Sequence, residues 1–327
     1  MARTQTENEP AAAMEAPPEE RPPRLDVMLQ TRGLTKRYGE RLAVNTLNLE
    51  IVRGEVFGFL GKNGAGKTTT IRMLLNLVKP TAGEIWLFGE RLNFMPGRLL
   101  ARIGALIERP SFQTYLSGRD NLIAIGGYTG GVPERRVDEV LGIVGLGQHG
   151  KDRYARYSPG MRQRLGVGAA LLTDPELLIL DEPGDGLDPA GIVEMRELVL
   201  RLAEAGKTIF ISSHMLAEFQ QVYTRIGIMR GGELIAVGKV DELLRPAGRW
   251  EIEVANPETV GQMFRYLPGV RSASIEDGEL VIEAPGLHGS EISRYLGERG
   301  VWPESMRRGD DDVEQNFLRL AEGEAGR

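Results

Sequence analysis

Gly61-Lys62-Asn63-Gly64-Ala65-Gly66-Lys67-Thr68 decides how this chain is read. Glycine, four free positions, glycine, lysine and threonine follow one another in the spacing of a phosphate-binding loop. The flanks agree with it. Val56-Phe57-Gly58-Phe59-Leu60 is apolar and predicts a buried strand, and Thr69 to Leu77 predicts a helix. A glycine-rich turn between strand and helix aims backbone N–H groups at one spot, and the helix N-terminus adds partial positive charge there. Lys67 can reach the β- and γ-phosphates of a nucleotide, and Thr68 can hold Mg²⁺ through its hydroxyl. The stretch therefore points to a protein that binds a nucleoside triphosphate.

On the N-terminal side, Met1 to about Arg24 is rich in Pro, Glu, Ala and Arg and is expected to be a disordered tail (residues 1–24). Leu29 to Leu34 and Asn45 to Ile51 alternate apolar and polar residues, which predicts antiparallel strands with one wet face. Glu84 to Phe88 predicts another short strand. Arg98 to Gly150 is expected to be mostly helical, interrupted at Pro110, Gly126-Gly127 and Gly130-Gly131. A helix over Met161 to Leu172, an apolar strand over Leu177 to Leu180, a helix over Ile192 to Ala205 and a strand over Thr208 to Ser212 follow. Strands alternating with helices imply an α/β fold with a mainly parallel sheet covered on both faces. The texture changes near Pro246-Ala247-Gly248. From there, Trp250–Ala255, Val270–Glu276, Glu279–Ala284 and Val301–Met306 read as strands, and Pro257–Tyr266 and Ser290–Arg299 as helices. A hairpin turn is placed at Asp277-Gly278, and a last helix over Asp312 to Glu322 is capped by Asp310-Asp311-Asp312. The order β-α-β-β-α-β suggests a small ferredoxin-like unit. The chain thus divides into the tail, a nucleotide-binding domain over 25–246, and a small α+β domain over 247–327.

Composition sets outer limits. The 327 residues match about two domains, and 41% hydrophobic with 26% charged content is ordinary for a globular protein. The net charge of -6 comes without a basic block, so nucleic acid is not the expected partner. The absence of cysteine excludes disulfides, thiolate metal sites and a cysteine nucleophile. There is no apolar run of about 18 residues and no apolar core of a leader at the N-terminus. Any membrane role is expected to run through another polypeptide.

A second acidic element narrows the chemistry. Leu177-Leu178-Ile179-Leu180-Asp181-Glu182-Pro183 is an apolar strand ending in two carboxylates. Asp181 sits where it can hold Mg²⁺, and Glu182 where it can orient and activate an attacking water. Tyr157-Ser158-Pro159-Gly160-Met161-Arg162-Gln163-Arg164 lies upstream, Gly186-Leu187-Asp188-Pro189 downstream, and Ser212-Ser213-His214 follows the next buried strand. Of the three histidines, His149, His214 and His288, only His214 follows a buried strand at the sheet edge where ligands bind in open α/β folds.

In this order and spacing, Leu29 to Asp241 resembles the nucleotide-binding subunit of an ATP-binding cassette (ABC) transporter. Val313 to Leu320 is similar to the end of such subunits. The resemblance implies ATP and Mg²⁺ as ligands. It places Tyr38, in Lys36-Arg37-Tyr38-Gly39, as the aromatic that stacks on adenine. It places Gly61, Lys62, Asn63, Gly64, Ala65, Gly66, Lys67, Thr68 and Thr69 around the phosphates. Thr68, Asp181 and Glu108 become metal ligands, and Glu182, His214 and Lys67 the catalytic set. Ser158 and Gly160 match a signature loop that caps the γ-phosphate held by the opposite subunit, and Asp188 matches the loop between the two sites. The implied partners are a second copy or a close relative, forming an ATP sandwich, and a separate transmembrane permease docked at the region containing Pro110 to Tyr128. The implied location is the cytoplasmic face of the inner (plasma) membrane.

Two departures stand out. In Ile103-Gly104-Ala105-Leu106-Ile107-Glu108-Arg109-Pro110, Glu108 takes the place of the family's usual Gln, which resembles exporters conferring bacitracin or lantibiotic resistance and points to export of a drug, peptide antibiotic or lipid. The usual Leu-Ser-Gly-Gly-Gln becomes Tyr157-Ser158-Pro159-Gly160-Met161, in which Pro159 removes an N–H donor. The rival reading is a soluble ABC ATPase acting on ribosomes or DNA. The single phosphate loop and the lack of long heptad insertions weigh against it.

Overall fold

The computed structural model describes residues 26–93, 97–108, 110–243, 248–264, 266–276, 278–284 and 286–308. The expected tail over 1–24, the Asp310–Asp312 cap, the last helix and Asp277 of the hairpin turn lie outside these residues.

Strands β1 (Val27–Tyr38) and β2 (Arg41–Val52) form a long antiparallel pair joined at Gly39-Glu40. They are followed by β3 (Val56–Leu60), α1 (Lys67–Leu74), β4 (Ala82–Leu87), β5 (Glu90–Arg91) and the short α2 (Gly97–Leu100). Next come β6 (Ile103–Leu106), α3 (Gly118–Tyr128), α4 (Glu134–Ile143) and α5 (Pro159–Leu171). The chain continues through β7 (Leu177–Asp181), α6 (Pro189–Glu204), β8 (Thr208–Ser213), β9 (Arg225–Arg230), β10 (Glu233–Gly238) and α7 (Val240–Leu243). One sheet is antiparallel in the order β2-β1-β4-β5, and the other runs β10-β9-β3-β8-β7-β6. In this second sheet β9, β3, β8, β7 and β6 are parallel, and only β10 runs against its neighbour.

The parallel strands are apolar throughout because both of their faces are covered. Phe57, Phe59, Ile179 and Phe210 pack with Ile71 and Met73 of α1 and with Leu29 and Ile51 of the antiparallel sheet. Leu60, Leu178, Leu180 and Ile211 pack on the other side with Leu165 of α5 and Leu198 of α6. Each fully buried side chain of this kind contributes about 1.5–3 kcal/mol. Three widely separated stretches of sequence thereby end side by side, with Leu60 opposite Ser213 and Asp181 opposite Ser212.

Some local expectations change. Helix α1 ends at Leu74 rather than Leu77, because Asn76 adopts φ +57°, a left-handed stop that asparagine tolerates. The stretch expected to be mostly helical after Arg98 also supplies β6, which closes the parallel sheet at one edge. The β9–β10 hairpin has no counterpart in the sequence reading, although Gly231-Gly232 (φ +56° and +90°) between two apolar runs is a turn signal.

Beyond Gly248 a third sheet forms. It takes in β11 (Arg249–Glu253), β12 (Ser272–Glu276), β13 (Glu279–Glu283) and β14 (Ser305–Arg308), antiparallel in the order β12-β13-β11-β14. Helices α8 (Pro257–Phe264) and α9 (Gly289–Gly297) bury Val260, Phe264, Ile292 and Leu296 against Ile252, Leu280 and Ile282.

The contact between β6 and α5 depends on Gly104. A Cβ there would lie 2.1 Å from the carbonyl oxygen of Ala170. Gly104→Ala is expected to destabilise by about 1–3 kcal/mol through overpacking. Gly127→Ala, in α3 with nothing near its Cβ, is expected to stabilise by about 0.5–1 kcal/mol. Chemical denaturation of the two variants beside the parent checks both signs.

Candidate functional site: a phosphate loop facing paired carboxylates

The turn from β3 into α1 is built on close approach. A Cβ on Gly61 would lie 2.5 Å from the Met229 carbonyl oxygen, and one on Gly66 2.5 Å from that of Ala43. Gly66 also takes φ +109° and caps α1 without a side-chain bond, so the first N–H groups of the helix are left for an anion. These groups face a cleft of 360 Å³ lined by Tyr38, Arg41, Ala43, Asn63, Gly64, Gly66, Lys67, Thr68, Thr69 and Glu182. Tyr38 stands half exposed at its rim with the Lys36 ammonium 4.9 Å from the ring centroid. Ala65 points inward, and Lys62 is exposed.

Lys67 is buried, so its ammonium must be paired. Its Nζ donates to the Gly61 carbonyl at 2.5 Å and lies 3.0 Å from Glu182 Oε1. Glu182 takes φ +49°, a conformation a non-glycine residue holds only when its surroundings enforce it. Here its N–H donates to Ser212 O at 3.1 Å and lies 3.0 Å from Ser212 Oγ. Glu182 Oε2 lies 2.8 Å from His214 Nδ1 and accepts from the His214 backbone N–H at 3.2 Å. One carboxylate therefore joins the phosphate-loop lysine to the histidine.

Asp181 lies beside it, 2% exposed, accepting from Ser212 Oγ at 2.5 Å and from the Thr68 side chain. Burial pushes its carboxyl above the usual range, only partly offset by the Ser212 and Thr68 hydrogen bonds. Thr68 and Asp181 thus bring a hydroxyl and a poorly solvated carboxylate together, a set of hard oxygen donors that suits Mg²⁺.

Glu108 (φ +57°) borders the same region, in a cleft of 430 Å³ with Thr68, Gln163, Asp181, Glu182 and Asp185. Its carboxylate is taken by the Arg72 guanidinium of α1 and is largely exposed. For Glu108 to hold a metal beside Thr68 and Asp181, its carboxylate would have to leave Arg72. Ser158, Gly160 and Asp188 stand elsewhere. They line a separate hollow of 410 Å³ where the N-termini of α5 and α6 meet. Ser158 caps α5 by accepting from Met161 N at 3.2 Å, and Asp188 caps α6 by accepting from Gly191 N at 3.0 Å. Pro159 occupies the first turn of α5, where a missing N–H costs the helix nothing.

The other two histidines do local work. His149 pairs with Asp152, and His288 starts α9 with its N–H held by Glu291. The sequence reading did not single out Ser212, Arg72 or Glu218 as site residues. Two serines ending an otherwise apolar strand are the one local signal that could have drawn attention to Ser212.

Residues 44–185 match the family described as ABC transporter. The bacitracin transport ATP-binding protein BcrA of Bacillus licheniformis is 38% identical over 302 residues, 91% of this chain and 99% of that protein. BcrA of Enterococcus faecalis is 36% identical over 301 residues, 91% and 98%. The daunorubicin resistance ATP-binding protein DrrA3 of Streptomyces coeruleorubidus is 34% identical over 304 residues, 90% and 96%. Among solved structures, an ATP-binding subunit of an ABC transporter superposes with TM-score 0.59 at 29% identity, covering 67% of this chain and 92% of that one. CbiO1 of Clostridium perfringens, part of the cbiONQ complex, superposes with TM-score 0.62 at 26% identity, covering 74% and 96%. The chain belongs to the ABC transporter family, as an ATP-binding subunit with ATPase activity.

A carboxyl whose folded-state pKa is raised contributes its stability below the unfolded value, about 3.9 for Asp, and loses it as pH rises through the folded value. Asp181 is such a group. Asp181→Asn is therefore expected to melt above the parent at pH 7 in buffer without nucleotide or divalent cation. The gap should narrow as pH falls toward about 4. Thermal melts across this range check the direction.

Proposed function

We propose that this chain is the ATP-hydrolysing subunit of an exporter, working as a sandwich with a second copy or a close relative and driving a separate membrane permease. The observation that carries this reading is the division of the site. The phosphate loop with its carboxylates opens on one cleft, while Ser158, Gly160 and Asp188 line a different hollow. In a sandwich, a second subunit would bring its signature-loop hollow against the phosphate-loop cleft of the first, and the reverse.

In this reading Tyr38 stacks on adenine, and the loop N–H groups with Lys67 take the β- and γ-phosphates. Thr68 and Asp181 would hold Mg²⁺, which neutralises charge developing on the phosphates when bound. Glu182 accepts a proton from the attacking water, and His214 keeps that carboxylate aimed. The partner's signature loop brings the α5 N-terminus to the γ-phosphate.

The permease is read as docking near α3, where Tyr115 and Tyr128 are exposed. No helix among the described residues is long and apolar enough to cross a membrane. The location read from this arrangement is the cytoplasmic face of the membrane, held there through the permease. Export of a peptide antibiotic or drug is favoured by the bacitracin and daunorubicin names of relatives that match over nearly their whole length.

Glu182→Gln is expected to lower ATP turnover by about 100-fold or more while keeping ATP binding, and to elute as a dimer in ATP and Mg²⁺. Steady-state hydrolysis and sizing chromatography read this out. Parental turnover, or a monomer in ATP, would overturn the sandwich mechanism. Failure of the permease to co-purify from membranes would overturn the transport role.

A further inference from the structure

Three consecutive residues at the end of β8 each address a different carboxyl group. Ser212 Oγ donates to Asp181 at 2.5 Å, and His214 Nδ1 lies 2.8 Å from Glu182. Between them Ser213 Oγ lies 2.8 Å from Oε2 of Glu218. The first two carboxyls line the cleft they share with Thr68 and Glu108. Glu218 is buried, 7% exposed.

Among the described residues Glu218 makes no salt bridge to lysine or arginine, and burial pushes its carboxyl above the usual range. The Ser213 hydrogen bond and the nearby His214 offset that burial only in part, against the added repulsion of Glu182 and Asp185, so the group costs the fold stability. A serine hydroxyl has one proton to give. Ser213 Oγ lies 2.9 Å from Met215 O as well as near Glu218, and it accepts from Met215 N at 3.0 Å. A carboxylate is the stronger acceptor. The hydroxyl therefore donates to Glu218 while accepting from Met215, which closes the turn that presents His214.

The same carboxyl group rests against the loop on the other side. A Cβ on Gly184, two residues after Glu182, would lie 2.9 Å from the Glu218 carboxyl. From α6, Arg196 Nε donates to the Glu218 carbonyl at 3.0 Å and fixes its backbone.

We infer that Glu218 is a positioning residue for ATP hydrolysis, setting His214 against Glu182 by bracing the two loops that carry them. The inference rests on the reading that Glu182 and His214 serve the hydrolytic step. Glu218 touches neither nucleotide nor water in this account. It acts through Ser213 and through the Gly184 backbone.

The test is steady-state hydrolysis by the full chain, normalised to stoichiometric nucleotide binding so that misfolded protein is not counted. Glu218→Ala is expected to lower kcat about tenfold or more at unchanged KM for ATP, the scale of a misplaced catalytic group. Glu218→Gln keeps the shape and an acceptor oxygen and is expected to restore most of the loss. Gly184→Ala, which presses on the carboxyl without removing it, is expected to lower kcat in the same direction. Parental kcat in Glu218→Ala, a rise in KM at constant kcat, or a Glu218→Gln as impaired as the alanine variant would each overturn the assignment. Glu182→Gln run beside them separates the two levels. If it retains parental turnover, the reading beneath fails and takes this inference with it. If it is inactive while Glu218→Ala is normal, only the role of Glu218 falls.

Discussion

An ammonium ion buried at the edge of a sheet must be matched by negative charge, and the site is arranged around that demand. Lys67 sits where β3 gives way to α1, closed off from water. Glu182 and the Gly61 carbonyl answer its charge. This pairing brings the carboxylate at the end of β7 against the phosphate loop. Glu182 also holds His214, so the same interaction sets the end of β8. Remove the ammonium and two acids, Asp181 and Glu182, would face each other with far less to offset their repulsion.

The sheet makes such pairing possible. β3, β8 and β7 are neighbours with both faces covered by apolar layers, so their C-terminal ends are rigid and lie level. Polar groups that emerge there have few places to go except toward one another. Ser212 shows the consequence, since its hydroxyl serves Asp181 while its carbonyl receives the Glu182 N–H. That double grip keeps Glu182 in a left-handed backbone conformation it would not choose alone.

The second cluster obeys a different physics. Ser158 and Asp188 spend their side chains on capping α5 and α6, whose N-termini lie side by side. Capping leaves other N–H groups of the first turn directed outward, where the helix ends carry partial positive charge. The surface is thus suited to an anion brought from outside, whereas the phosphate loop sits in a cleft whose walls the chain supplies itself. Pro159 and Pro189 stiffen the two helix starts at no cost in hydrogen bonds.

Much of this was legible in the residues alone, wherever the signal was local. The glycines and lysine at 61–67 are bound by spacing to a turn between strand and helix, and an apolar run ending in Asp181-Glu182 can only be a buried strand that surfaces at its tip. The presence of α5 and α6 was legible too, but their starts were not: they begin at Pro159 and Pro189, ahead of the expected Met161 and Ile192, because Ser158 and Asp188 cap them. What the tertiary structure alone decided are the pairings across strands distant in sequence. Arg72 pairs with Glu108, 36 positions away, a contact that no local pattern reports. Ser212 and Ser213 read as the end of a strand until β7 and the turn after β8 bring acids beside them. Ser158, Gly160 and Asp188 sit near the acidic strand in sequence, yet they line a hollow apart from the phosphate-loop cleft. A periodic pattern reports which face of an element is buried. It holds no record of which distant side chain shares that burial, and in a close-packed interior that neighbour determines where a charge comes to rest.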